Sequence, residues 1–198
     1  MQIKEILLNK NPEIKIYENF FNDDVCNKII NLSKGKLKQA GVGKGTKNVI
    51  RTGRNCYINK EKDEFTRNII NQISNTIGIN ANNSTNLQIV NYVKNQTYAY
   101  HYDAFPKDEK GKLLDFEANI LQRNISIICY LNNVKKGGET YFPKIDLRIK
   151  PELGKMLVFS NTLKNTNDRD PYSMHAGLPV IEGEKWILVC WFSLNKKT

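Results

Sequence analysis

The chain contains only two histidines, and each has a setting that suits metal chemistry. His101 stands in an aromatic run typical of a strand, two positions before Asp103. Because strand side chains alternate between faces, this imidazole and this carboxylate should point the same way. His175, the other histidine, could complete a facial set of two nitrogens and one oxygen, which leaves three sites on an octahedral iron open. A His-x-Asp tripeptide alone is equally compatible with an ordinary surface pair.

Lys185 follows His175 by ten residues and opens an otherwise apolar run that ends at Phe192. A buried ammonium group is costly unless an anion pairs with it. One interpretation is that a bound carboxylate is that anion. The alternative is that the lysine reaches water from the end of its strand, which is a common arrangement.

The elements that would position these residues are mainly β-strands. From residue 87 onward, short β-branched or aromatic runs alternate with turn-forming clusters, which is typical of an all-β core. Strands are predicted at Leu87–Val93, Tyr98–Asp103, Ile125–Leu131, Glu139–Phe142, Lys155–Ser160, Ser173–Ala176 and Lys185–Phe192. Seven or eight strands suit a double-stranded β-helix, or jelly roll.

The first part of the chain, about residues 1–80, is predicted to be helical with interruptions. One helix begins at Asn22 or Asp23 and ends near Lys34, and a second runs from Asp63 or Glu64 to about Ile77. Their apolar residues recur at helical spacing. We expect a single domain over residues 1–198, with a jelly-roll core at about 85–193 and both helices packed on one sheet.

Composition supports a folded protein: 198 residues, 40% hydrophobic and 25% charged. No long apolar run or leader pattern is present, so we expect a soluble cytoplasmic protein with no membrane partner. Abundant asparagine, lysine and isoleucine suggest a bacterial or viral origin. The four cysteines have no CxxC spacing and are expected to be reduced core thiols. The net charge of +10 is concentrated in residues 34–54, which we interpret as a mobile substrate lid or a solvated loop.

Several blocks together resemble the prolyl 4-hydroxylase family of Fe(II)/2-oxoglutarate-dependent dioxygenases, from about Phe20 to Trp191. They are Arg51-Thr52-Gly53, Asn91-Tyr92, Tyr98-x-x-His101-x-Asp103, Arg123-Asn124-Ile125-Ser126, Gly137-Gly138-Glu139-Thr140-x-Phe142-Pro143, His175-Ala176-Gly177 and Gly183-Glu184-Lys185-Trp186. This chain departs from many members at Ala99-Tyr100 and at Phe192-Ser193, both on the substrate side.

The resemblance implies a role for each matching residue. His101, Asp103 and His175 would bind Fe(II), and Lys185 would pair with the distal carboxylate of 2-oxoglutarate. Tyr92 and Thr140 would contact the same cosubstrate, and O2 and ascorbate would take part. The substrate would be a proline-containing peptide, contacted by Arg51, Arg123 and Trp191.

Other interpretations stay open at this level. The same chemistry could act on a free amino acid, another side chain or an alkylated base. A non-enzymatic nucleic-acid-binding module would use the basic segment, although no recognised motif accompanies it. Tyr98, Tyr100 and Tyr102 are interpreted as packing residues on the outer face of their strand, the region from Phe105 to Gln122 as a disordered loop, and the oligomeric state as unknown.

Overall fold

The computed structural model describes residues 2–40, 51–113 and 121–194. Within them the α-helices are α1 (Asp23–Ser33) and α2 (Glu64–Ile77). The strands are β1 (Lys4–Lys10), β2 (Glu13–Glu18), β3 (Lys38–Gln39), β4 (Arg54–Ile58), β5 (Leu87–Tyr92), β6 (Tyr98–His101), β7 (Ile125–Tyr130), β8 (Lys136–Gly137), β9 (Thr140–Phe142), β10 (Leu147–Ile149), β11 (Met156–Ser160), β12 (His175–Gly177), β13 (Val180–Glu182) and β14 (Lys185–Phe192).

A large sheet of eight strands forms the backbone of the fold. Its order is β1-β2-β11-β7-β14-β5-β4-β3, and its central strands β5 and β14 are buried along their whole length. Because β14 is covered on both faces, it is an unbroken apolar run after Lys185. One face packs on the helices and the other faces the small sheet, so the core has two apolar clusters, one on each side.

The small sheet has four strands in the order β10-β9-β12-β6. The two facing sheets make the predicted jelly-roll core, and that prediction is confirmed. A two-stranded ribbon of β13 and β8 adjoins the core. The short strands β8, β10 and β13 were not predicted because runs of two or three residues carry no readable alternation.

Both predicted helices are present and begin and end as expected. Asn22 caps α1 by accepting the Val25 N–H at 2.9 Å. Asp63 and Thr66 form a reciprocal capping box on α2, and Gly78 ends this helix with a φ of 71°. The apolar stripe of α2, which includes Ile70 and Ile73, packs on the large sheet, so the helices lie on one sheet as predicted.

The prediction that residues 1–80 are mostly helical is wrong. This region also contains the β1–β2 hairpin and strands β3 and β4, all of which join the large sheet. Strand β2 pairs with β11, so that Tyr17 lies opposite Met156. The run from Glu13 to Ile16 alternates polar and apolar residues and buries its isoleucines, which is the period of a strand.

Two boundaries near the histidines also differ from the prediction. Strand β6 ends at His101 rather than at Asp103, which lies just beyond it. The predicted strand Ser173–Ala176 is instead a short 3-10 helix at Pro171–Ser173 followed by β12 at His175–Gly177. The 3-10 helix begins with Pro171, whose fixed backbone angle suits a helix start.

The predicted disordered loop from Phe105 to Gln122 is ordered at the ends that the structure describes. The Gln122 side chain accepts the Phe105 N–H at 2.9 Å and donates to the Phe105 carbonyl at 3.0 Å. Residues 114–120 lie outside the described part. Residues 41–50, the middle of the basic segment 34–54, also lie outside it, so the lid interpretation stays a prediction.

All four cysteines are buried and unpaired, as predicted. Across residues 2–40, 51–113 and 121–194, no helix has both the length and the apolar character needed to cross a bilayer.

Candidate active site

Strands β6 and β12 bring three ligand-type side chains together. His101 and His175 lie opposite each other in the pairing of these strands, and Asp103 follows β6 directly. One side-chain atom from each of the three lies within 4.8 Å of the others. The two Nε2 atoms are 3.6 Å and 3.7 Å from the Asp103 carboxylate oxygens. All three side chains are buried between the two sheets.

Backbone carbonyls fix both imidazoles in one tautomer. His101 Nδ1 lies 2.8 Å from the Ala99 carbonyl oxygen, and His175 Nδ1 lies 3.0 Å from that of Ser173. A carbonyl oxygen can only accept, so each Nδ1 carries the hydrogen and each Nε2 keeps its lone pair. Burial lowers the pKa of His175 to about 4, with the neighbouring His101 acting in the same direction. His175 is therefore neutral near pH 7.

The Asp103 carboxylate supplies the negative charge of the cluster. Burial by itself raises the pKa of a carboxyl group, but the imidazoles of His175 and His101 reverse that effect, so the pKa of Asp103 lies below its ordinary value. The Ser126 hydroxyl donates to Asp103 Oδ2 at 2.6 Å. Two imidazole nitrogens from adjacent strands and one carboxylate are the donor set of the facial triad that holds non-haem Fe(II). The residues present fit that metal.

Lys185 lies beside this cluster with its ammonium group in the interior. The residue is 3% exposed, and Nζ lies 5.8 Å and 5.7 Å from the ring centres of Tyr92 and Tyr130. Among the described residues, no carboxylate lies within ion-pair distance of Nζ. Burial lowers the pKa of Lys185 to about 8, although Glu139 opposes that effect. A buried cation in this setting is stabilised by an anionic ligand.

Two glycines form part of the wall around Lys185. A β-carbon added at Gly138 would lie 3.4 Å from Lys185 Cδ, and one at Gly177 would lie 3.9 Å from Lys185 Nζ. The Tyr130 hydroxyl donates to Thr140 Oγ1 at 2.7 Å, which brings two buried hydroxyls to the same wall. A buried cation near a set of metal-ligand side chains suits the two ends of a dicarboxylate keto acid such as 2-oxoglutarate.

Arg51 and Tyr98 form a second wall. The Arg51 guanidinium carbon lies 4.7 Å from the Tyr98 ring centre, and Arg51 Nη2 donates to Gln88 Oε1 at 3.2 Å. The Tyr98 ring stacks on His101 with a centroid distance of 3.6 Å and an interplanar angle of 19°. Burial raises the pKa of Tyr98 to about 12, so its phenol stays protonated at neutral pH.

Arg123 and Trp191 form a third wall. The Arg123 guanidinium carbon lies 3.9 Å from the Trp191 ring centre and 4.7 Å from that of Phe105, so the cation is sandwiched between two aromatic rings. Within the described residues, Arg51 Nε, Arg123 Nε and Trp191 Nε1 are buried donors with no hydrogen-bond partner.

Comparison with known proteins identifies the family. The sequence profile of the 2OG-Fe(II) oxygenase superfamily matches residues 87–193. A putative prolyl 4-hydroxylase of Acanthamoeba polyphaga mimivirus is 35% identical over 91% of this chain and 74% of that protein. The chain belongs to the prolyl 4-hydroxylase family of 2OG-Fe(II) oxygenases.

Two further similar proteins support the assignment to the prolyl 4-hydroxylase family. Prolyl 4-hydroxylase 2 of Arabidopsis thaliana is 30% identical over 98% of this chain and 71% of that protein. The crystal structure of a viral collagen prolyl hydroxylase from Paramecium Bursaria Chlorella virus-1, in complex with 2OG, superposes with a TM-score of 0.73 at 25% identity. That superposition covers 90% of this chain and 94% of the viral one.

Most of the site residues predicted from the sequence lie close together in the oxygenase, around the triad and Lys185. His101, Asp103 and His175 converge, and Lys185 lies in the same interior. Tyr92 and Thr140 lie on the Lys185 side, since both Tyr92 and the Thr140-bound Tyr130 flank its ammonium group. Arg51, Arg123 and Trp191 form the walls described above.

One interpretation is wrong: Tyr98 does not point to the outer face. The pairing of β12 with β6 shifts register, so that His175 pairs with His101 but Gly177 pairs with Tyr98. The extra residue in β6 is a β-bulge, which turns Tyr98 to the same side as His101. Tyr100, which is 51% exposed, does lie outside.

Other site residues were missed because the sequence gives them no distinctive signal. The Phe105 ring contacts the Arg123 guanidinium. In the sequence, however, Phe105 is an isolated aromatic residue in a region predicted to be a loop. Asn161 lies behind Asp103, yet it is one of many asparagines. Only its position after the predicted strand Lys155–Ser160 could have drawn attention to it.

Proposed function

We propose that this oxygenase hydroxylates a peptidyl proline, with His101, Asp103 and His175 holding Fe(II) and Lys185 holding 2-oxoglutarate. The observation that carries the proposal is the convergence of the three ligand side chains beside a buried lysine that has no ion-pair partner among the described residues. With O2 and 2-oxoglutarate, a ferrous centre of this type supplies the oxidising power that turns a C–H bond into C–OH, while the keto acid becomes succinate and CO2.

The chain's own residues bind and orient the reactants. Lys185 neutralises the distal carboxylate of 2-oxoglutarate, and Tyr92 and Thr140 offer hydroxyl groups on the same side. The carbonyl bonds to both Nδ1 atoms keep the Nε2 lone pairs free for the metal. Each of these groups is placed before the reactants arrive, so little reorganisation is needed during the reaction.

The walls formed by Arg51, Arg123 and Trp191 favour a peptide over a free amino acid. Their unpartnered atoms are all donors. A proline residue within a peptide has no N–H and presents carbonyl oxygens, which are acceptors. A free amino acid would bring a carboxylate that a guanidinium could bind, but also an ammonium group, for which these three side chains offer no acceptor. The apolar faces of Tyr98 and Trp191 suit a pyrrolidine ring.

Use of ascorbate as a reductant and a cytoplasmic location stay predictions. Hydroxylation of another side chain would use the same metal centre and the same lysine, so it remains the alternative substrate class. Binding of nucleic acid would rely on the basic segment 34–54, of which residues 41–50 lie outside the described residues.

Mass spectrometry of a proline-rich peptide tests the proposal. The peptide is incubated with the protein, Fe(II) and 2-oxoglutarate in air, and we expect a gain of one oxygen on proline with one succinate per hydroxylation. A matched peptide with alanine in place of proline should gain none. Succinate release that is stimulated equally by both peptides, with neither oxidised, would reject peptidyl proline as the substrate.

A further inference from the structure

A buried hydrogen-bond chain lies behind the Asp103 carboxylate. The Ser126 hydroxyl donates to Asp103 Oδ2 at 2.6 Å, and Asn161 Nδ2 donates to Ser126 Oγ at 2.7 Å. Ser126 and Asn161 are fully buried, and Asp103 is 8% exposed. Ser126 lies on β7 of the large sheet, and Asn161 follows β11 next to it. A hydrogen bond from the large sheet therefore holds the Asp103 carboxylate, although Asp103 follows β6 of the small sheet.

The chemistry of the three groups allows only one direction for this chain. An ionised carboxylate can only accept, so the single hydroxyl proton of Ser126 must go to Asp103. Ser126 Oγ then has only acceptor capacity left, and Asn161 must present its amide N–H to it. A charged acceptor makes the first bond a strong one. The rotation of the Asp103 carboxylate is thereby fixed by groups that do not belong to the ligand set.

Asn161 also holds the segment that carries the second histidine. Its backbone carbonyl accepts the Asp170 N–H at 2.9 Å, and the Asp170 carbonyl in turn accepts the Ser173 hydroxyl at 2.7 Å. The carbonyl of Ser173 is the group that fixes His175 Nδ1, at 3.0 Å. One asparagine is thus connected to Asp103 through its side chain and to His175 through its main chain.

We propose that Ser126 and Asn161 are positioning residues that set the orientation of the Asp103 carboxylate and thereby the metal affinity of the site. The proposal rests on the proposed function, because it takes Asp103 as a ligand. Hydrogen-bond partners of metal ligands commonly change metal affinity by about 10- to 100-fold when they are removed. Neither residue touches the substrate, so their effect should appear in metal binding without any turnover.

Cobalt(II) titration of the metal-free protein, followed by visible absorbance, is the test. Ser126→Ala should weaken Co(II) binding by about 10-fold or more and alter the Co(II) spectrum. Ser126→Thr keeps the hydroxyl and should restore affinity to within about 3-fold of wild type, because the donor to Asp103 is retained. Asn161→Asp should weaken binding as well, because the new carboxylate competes for the single Ser126 proton.

Thr162→Val is the matched control. Thr162 is 6% exposed, and its hydroxyl accepts from Asn124 at 3.1 Å without contacting Asp103 or Ser126. Its loss should leave Co(II) affinity and spectrum unchanged. Circular dichroism establishes which variants fold. If Ser126→Ala does not fold, the Co(II) affinity of Asn161→Asp is the deciding measurement.

Two results separate this inference from the proposed function. Wild-type affinity and an unchanged spectrum in folded Ser126→Ala, or in folded Asn161→Asp if that variant must decide, would overturn the positioning role while leaving the ligand set intact. A wild-type protein that binds neither Co(II) nor Fe(II) would overturn the proposed function itself. Equal losses in Thr162→Val and Ser126→Ala would also overturn the inference, because they would indicate a general effect of removing a buried hydroxyl.

Discussion

At the scale of single residues, the site depends on where charge is buried. Lys185 and Asp103 are both almost completely buried, yet their surroundings act in opposite directions. The pKa of Lys185 falls because burial outweighs its distant acidic neighbour Glu139, whereas the pKa of Asp103 falls because adjacent imidazoles outweigh burial. Asp103 also accepts a hydrogen bond from Ser126, whereas no carboxylate among the described residues pairs with Lys185. That asymmetry points to a bound anion rather than to a structural ion pair.

Replacing Lys185 should remove cosubstrate binding. In Lys185→Met the distal carboxylate of 2-oxoglutarate would be buried without a partner, which costs about 3 kcal/mol or more and corresponds to a loss of more than about 100-fold in affinity. Titration calorimetry under anaerobic conditions with Fe(II) measures this change. Lys155→Met is the control, since Lys155 is also buried but pairs with Glu152 at 2.6 Å. Equal 2-oxoglutarate affinity in wild type and Lys185→Met would place the cosubstrate elsewhere.

Cosubstrate affinity should also depend on pH. The Lys185 pKa of about 8 in the free protein means that the ammonium form prevails below that pH and is lost above it. Binding of a carboxylate raises the lysine pKa, so the dissociation constant should be flat below about pH 8 and then rise by up to about tenfold per pH unit. Tyr92 and Tyr130 have raised pKa values and do not titrate in this range.

The same titration at several pH values checks this dependence, with Lys185→Met as the reference. That variant should show weak binding without the rise above about pH 8. A flat profile in the wild-type protein would mean that Lys185 does not carry the charge that binds the carboxylate.

At the scale of elements, backbone register decides which side chains face the site. The bulge in β6 turns Tyr98 toward His101, and the close approach of residues 51–53 brings Arg51 over Tyr98. Alternation along the sequence predicted the direction of His101 and Asp103 but not that of Tyr98. A bulge depends on the partner strand β12, 74 residues later, and no local pattern in β6 reveals it.

Gly53 should be necessary for the position of Tyr92. A β-carbon at residue 53 would lie 2.5 Å from Tyr92 Cε1 and 3.0 Å from the Asn91 carbonyl oxygen, so Gly53→Ala must displace the ring. We expect a loss of about 1–3 kcal/mol in the free energy of unfolding and weaker 2-oxoglutarate binding.

Chemical denaturation measures the stability change, with Gly177→Ala for comparison. At Gly177 the added carbon would meet only ordinary contacts, the nearest being Tyr98 Cβ at 3.7 Å. Its unfolding free energy should therefore change less. If both variants were equally stable, close packing of Gly53 on Tyr92 would not matter to the fold.

At the scale of the whole molecule, the sequence predicted the architecture and the ligand set better than it predicted the N-terminal region. The triad could be found because histidine is rare here and strand alternation relates His101 to Asp103. The β1–β2 hairpin was missed because β2 is stabilised by pairing with β11, about 140 residues away. The prediction that Arg51 and Arg123 belong to the site came only from the family resemblance, since an arginine in a sequence indicates no particular chemistry by itself.

The net charge of +10 should affect the choice of peptide. Long-range attraction speeds the encounter with an acidic partner and is screened by salt, with a Debye length of about 10 Å at 0.1 M. Of two proline-rich peptides that differ only in flanking charge, the acidic one should have the higher kcat/KM, by about threefold or more at low salt. The difference should shrink toward zero in about 0.5 M salt. A preference that salt does not change would exclude steering by the net charge.

The most direct measurement is an anaerobic titration of the metal-free protein with Fe(II) in the presence of 2-oxoglutarate, followed by visible absorbance. The wild-type protein should bind one ferrous ion per chain and develop the weak band of the iron–keto acid chelate. His175→Ala should lose that band while keeping its circular dichroism spectrum, because only two of the three ligand side chains remain. A folded His175→Ala variant with the full wild-type band would show that the late histidine does not bind the metal.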